Sequence, residues 1–73
     1  MTLIDAEIEK EYTISRIDTD DGELDAFLFS LGCFEGQKIT VISRRKSTLV
    51  VSIKDGRYSI DTALANAIKL NDN

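Results

Sequence analysis

The stretch Asp20-Asp21-Gly22-Glu23-Leu24-Asp25-Ala26-Phe27-Leu28-Phe29-Ser30-Leu31-Gly32-Cys33-Phe34-Glu35-Gly36 decides the fold. It opens with carboxylates, which suit the positive end of a helix dipole. Asp20 and Glu23 stand three apart, the spacing of a capping box with aspartate as the cap. Leu24, Phe27, Leu28 and Leu31 then recur at i, i+3, i+4 and i+7, which predicts the single buried face of a short helix. Gly32 ends it, because glycine takes the left-handed conformation that closes helices. Glu35-Gly36 follows as a turn. Phe29 lies off the stripe; beside Phe34 it either forms a docking patch or fills the gap between helix and barrel. A helix closed by glycine and followed by an alternating strand, in an otherwise β-rich chain, points to a narrow set of small barrels.

The flanking segments supply the strands. Residues 12–17 alternate apolar and polar, placing Tyr12, Ile14 and Arg16 on one face. Ile17 breaks the alternation, the sign of a bulge or a strand end. Residues 38–44 form a second strand with Ile39 and Val41 inward, and residues 48–53 a third with Leu49, Val51 and Ile53 inward. Arg45-Lys46-Ser47 connects them. Asp55-Gly56 predicts a two-residue hairpin turn, since both residue types tolerate positive φ. The chain returns through residues 57–60, with Tyr58 and Ile60 on one face. Asp61 caps a short helical turn through Ala63-Leu64-Ala65, and residues 67–70 close as the last strand. Ahead of the first strand, residues 3–10 are a polar lead-in whose Leu3, Ile4 and Ile8 pack onto the barrel. The sequence thus reads as mostly β: a small barrel of about five antiparallel strands. One α-helix is inserted after the first strand and a short helical turn precedes the last.

Seventy-three residues with no proline, low-complexity run or repeat make one domain over residues 1–73. The hydrophobic fraction of 42% and charged fraction of 30% are ordinary for a globular protein. No apolar run approaches the roughly 20 residues that span a bilayer, and residues 1–5 show no secretory signal. A single cysteine, Cys33, forms no internal disulfide, which points to the reducing cytoplasm. The net charge of −4 argues against nucleic acid as a partner. Residues 1–36 carry ten acidic and two basic side chains, residues 37–73 seven basic and three acidic. This polarity either steers a protein partner or pairs off within the fold.

Catalytic chemistry has little to draw on. Histidine is absent, and with it the commonest general base. Cys33 lies just past a helix end, where the dipole disfavours a thiolate, and reads as structural rather than reactive. There is no phosphate-binding glycine motif. Asp18, Asp20 and Asp21 are weak metal candidates, able to offer oxygen ligands to a hard divalent ion. They miss the EF-hand register, which would put Ile17 and Thr19 at the first ligand positions, and they also suit capping and solubility. No cofactor is expected. Arg44, Arg45 and Lys46 either dock an acidic surface, meet lipid headgroups, or remain solvated.

Several of these features together resemble the FeoA family of ferrous iron transport proteins. The resemblance rests on Gly22-Glu23-Leu24, then Leu31-Gly32 and Gly36 leading into the Val/Ile strand, then the closing Ile60, Ala65, Ile68 and Leu70. Glu35 stands where the family commonly has proline, and Arg44-Arg45-Lys46-Ser47 where it often has a Gly/Pro-rich connection. The resemblance implies a cytoplasmic, non-enzymatic SH3-like barrel. It also implies a partner, the membrane-embedded ferrous iron transporter FeoB, met at its cytosolic or membrane-proximal region. Phe29, Phe34, Arg44, Arg45 and Lys46 are the candidate interface. The same barrel type resembles the C-terminal domain of iron-dependent repressors, so the alternative is a metal- or ligand-sensing barrel.

Overall fold

The computed structural model describes residues 1–71. Its strands are β1 (Glu11–Ile17), β2 (Lys38–Arg44), β3 (Thr48–Ile53), β4 (Gly56–Asp61) and β5 (Ile68–Leu70). Helix α1 (Gly22–Ser30) lies between β1 and β2, and α2 (Thr62–Ala67) between β4 and β5. The strands form one sheet in the order β4-β3-β2-β1-β5, every pair antiparallel. Register shifts at Ile14/Arg16 and Val41/Ser43 bend the sheet around its core.

The alternation read from β2 and β3 holds. Ile39, Val41, Leu49, Val51 and Ile53 are all buried, together with Ile14 and Ile68. In β1 strict alternation fails after Ile14. The register shift leaves Arg16 exposed and turns Ile17 toward the core. Asp61 caps α2 as expected, its Oδ1 accepting the Leu64 N–H at 2.7 Å. The β3–β4 turn sits one residue earlier than the Asp55-Gly56 signal places it. Ile53 pairs with Gly56, so Lys54 and Asp55 form the loop, and Lys54 takes the positive φ of 54°. Gly56 is instead the first residue of β4, where a Cβ would collide with the ring and hydroxyl of Tyr58.

The N-terminal lead-in is more ordered than its polarity predicts. Leu3–Asp5 form a 3-10 turn capped by Thr2, with Leu3 fully buried. Ile4 packs partly against the core, but Ile8 remains 43% exposed, against expectation. Ile8 is held by its backbone instead, through a parallel bridge to Val41. Arg44 Nη2 donates to the carbonyls of Ile4 at 3.0 Å and Ala6 at 2.8 Å, tying this segment to the end of β2. The Leu70 N–H reaches the Met1 carbonyl at 2.8 Å, joining it to β5 as well.

Helix α1 departs most from the sequence reading. Its cap is Asp21, not Asp20, with Oδ1 accepting the N–H groups of Glu23 at 2.9 Å and Leu24 at 3.3 Å. Its C-terminus closes on Gly32 at φ 92°, with Gly32 N–H on the Phe29 carbonyl and Cys33 N–H on the Leu28 carbonyl. This is the reciprocal bond pair of a glycine-closed helix, and its usual hydrophobic partners, here Leu28 and Cys33, are both buried. A Cβ on Gly32 would stand 3.3 Å from Ile53 Cγ2, so the turn sits directly on the β3–β4 hairpin. The helix therefore leans on the barrel through its last turn alone. Leu28 is its one buried residue, whereas Leu24 is 37%, Phe27 51% and Phe29 65% exposed. The spacing predicts a core stripe of four, and only Leu28 is fully buried.

Two outcomes follow for urea unfolding. Leu28→Ala is expected to cost about 2–4 kcal/mol, as for other buried leucines, whereas Phe27→Ala costs less than about 1 kcal/mol; equal costs would mean that α1 packs through its whole stripe. Burial pushes the Cys33 thiol up to about 11 from 9.0, so the folded state favours the neutral thiol. That contribution is complete below pH 9 and is lost as pH rises through the folded value. Between pH 9 and 11 the protein should lose about 2 kcal/mol more stability than Cys33→Ala does; parallel pH profiles would refute the shift.

Candidate interaction surface

The glycine-closed end of α1 places an apolar corner against the β3–β4 hairpin. Phe29 comes from the last turn of the helix and Phe34 from the loop beyond Gly32. Their ring centroids are 5.1 Å apart with the planes tilted by 38°, a favourable offset arrangement. Lys54 Nζ lies 5.5 Å from the Phe34 centroid and adds a cation–π contact from the hairpin. Phe29, Phe34, Gly32, Ile53 and Tyr58 border an open depression of about 720 Å³. Phe29 thus joins a surface patch and leaves no gap filled beneath the helix. Phe27 and Leu24 add further exposed apolar surface on α1, on a face that the helical spacing turns well away from Phe29. This surface was missed, because i, i+3, i+4 spacing reports amphipathicity and not which side the barrel covers.

The basic residues lie elsewhere. Arg45 and Lys46 are exposed in the β2–β3 turn, whereas the aromatic corner meets the β3–β4 turn. The two turns stand at opposite ends of β3, about 17 Å apart at the usual strand rise. Arg44 is not part of the free turn, since its guanidinium is engaged by the Ile4 and Ala6 carbonyls. The five candidate residues therefore fall into an aromatic pair, a distant basic pair and one structural arginine.

The acidic run is divided as well. One oxygen of Asp21 serves as the helix cap. Asp18 faces Arg16 across 3.8 Å, an exposed pair of small energetic weight. Thr19 donates its hydroxyl to the Asp25 carboxylate. Among the described residues no three His, Cys, Asp or Glu side chains converge on a point that would hold a metal ion. No helix among them is long and apolar enough to cross a membrane.

The fold recurs in solved proteins. The FeoA of Stenotrophomonas maltophilia, solved with zinc, superposes with a TM-score of 0.85 at 14% identity, covering 97% of this chain and 89% of that one. An iron uptake regulatory protein, also a FeoA, gives 0.84 at 18% identity, covering 96% and 93%. A manganese-dependent transcriptional repressor gives 0.83 at 21% identity, with 93% of this chain matching 39% of that one. These likenesses establish the SH3-like fold. No curated protein sequence gives a match. Residues 1–72 match the FeoA domain family, and the chain therefore belongs to this family of non-enzymatic accessory proteins associated with ferrous iron transport.

Proposed function

We propose that this protein is a cytoplasmic accessory factor of ferrous iron uptake that binds the FeoB transporter and modulates its opening or nucleotide cycle. The observation that carries the reading is the apolar corner at the end of α1. Phe29 is 65% exposed and stacks on Phe34, which in turn lies under the Lys54 ammonium. Clustered aromatic side chains beside a depression are the usual anchors of protein interfaces. The acidic first half of α1 borders the corner, so the complementary patch on the transporter is apolar with a basic rim. Arg45 and Lys46, at the far end of β3, form a separate contact to acidic protein or lipid surface.

An NMR titration of labelled protein with the isolated cytosolic domain of its FeoB tests this. Saturable shifts are expected at Phe29, Phe34, Lys54 and Tyr58. Phe29→Ala should weaken binding about tenfold or more, which corresponds to roughly 1.4 kcal/mol. Arg45→Glu with Lys46→Glu should leave those aromatic shifts in place. Shifts confined to the β2–β3 turn would remove the aromatic corner from the interface. Arg44→Ala is expected to expose the amides of residues 4–6 to faster hydrogen exchange without the partner present, and unchanged exchange there would return Arg44 to the candidate interface.

A further inference from the structure

Strand β4 is an edge of the sheet. Its two-residue turn makes Ile53 and Gly56 a hydrogen-bonded pair, and alternation assigns Val51–Tyr58 and Leu49–Ile60 to the same class. The backbone groups of Gly56, Tyr58 and Ile60 therefore point to β3. Those of Arg57 and Ser59 point away from the sheet, as does the Asp61 N–H. Among the described residues no backbone hydrogen bond from outside β3 reaches Arg57 or Ser59. The side chains of Arg57, Ser59 and Asp61 are exposed and share one face.

Proteins usually protect such an edge with proline, a bulge, a cover or charges that repel a second strand. β4 has no proline, and its register with β3 is free of bulges. Its two charges are of opposite sign and stand symmetrically about Ser59. In an antiparallel pairing of two β4 strands centred on Ser59, Arg57 of each copy lies opposite Asp61 of the other. Each of these positions is of the hydrogen-bonded type, because the outward-pointing groups recur every second residue. Asp61 is exposed, and with Oδ1 accepting the Leu64 N–H its second carboxylate oxygen serves the arginine. On the opposite face Tyr58 meets Ile60 of the second copy and extends the apolar layer. A parallel pairing would instead set Arg57 against Arg57 and Asp61 against Asp61. The charge pattern thus selects a two-fold, self-complementary contact.

We propose that β4 is a homodimerisation edge, through which two copies of this chain pair antiparallel about Ser59 with reciprocal Arg57–Asp61 contacts. Sedimentation equilibrium from about 10 µM to about 1 mM should show the average mass rising toward twice the monomer value, as mass action requires. Over the same range, hydrogen exchange should slow at least several-fold at the Ser59 and Asp61 amides, which face the Ser59 and Arg57 carbonyls of the other copy. Tyr58 and Ile60, already bonded to β3, should be protected at every concentration. Ser59→Pro removes an N–H that β3 does not use, so it blocks the pairing while sparing the monomer. Arg57→Glu places like charges opposite each other and leaves the backbone intact. Both variants should stay monomeric to about 1 mM with unchanged circular dichroism, and if one does not fold the other decides. A wild-type chain that stays monomeric over this range, or folded variants that dimerise as it does, would overturn the proposal.

Discussion

The turn that closes α1 at Gly32 governs how the rest of the molecule presents itself. Its left-handed backbone directs the chain back under the helix, so Leu28 and Cys33 meet inside the barrel. The same turn stands close against Ile53, whose Cγ2 would lie 3.3 Å from a Cβ at this position and would have to give way slightly. Anchored at this point and little elsewhere, a nine-residue helix cannot lay its full length on the sheet. Its upper turns project outward with their apolar residues. What resembles a packing defect is a direct result of fixing the helix by its end. The aromatic pair, the depression and the cation above Phe34 are all placed by that one constraint.

The opposite side of the barrel depends on a different kind of contact. There the wall is completed by backbone, not by side chains. Residues 1–9 run alongside β5 and β2, bonded through Met1, Glu9 and the Arg44 guanidinium. A guanidinium that satisfies two carbonyls at once suits this work, since its donors are fixed in a planar fork. The arginine in the basic turn is therefore conscripted by the lead-in, and the two neighbouring cations are left to solvent.

Most of the fold was legible because β structure has a period of two and this chain obeys it. Leu49, Val51 and Ile53 each point inward in a strand whose bounds match the alternation. The errors have separate physical origins. The bulge after Ile14 moves one residue off face, so Arg16 was assigned inward and is outside. The hairpin turn falls one residue early because Lys54 adopts the positive φ that glycine more often supplies, which leaves Gly56 to open β4 opposite Ile53. The helix stripe was misjudged because amphipathic spacing says that a face exists, not that the fold has a surface to cover it. For the candidate site, Phe29 and Phe34 were found as neighbours in the chain and are neighbours in space. Lys54 and Tyr58 were invisible to the same reasoning, since only the register of β3 and β4 brings them there.

The Met1–Leu70 hydrogen bond also sets how the fold responds to force. Residues 1 and 70 leave the barrel side by side, on antiparallel segments bridged at Thr2 and Lys69. A pull applied at these two points does not load the segment's hydrogen bonds together in shear. It loads them one at a time, from the end inward, as a zipper opens. The barrel is held shut thermodynamically by its buried β2–β3 core, yet mechanically its weakest seam lies where the chain enters and leaves.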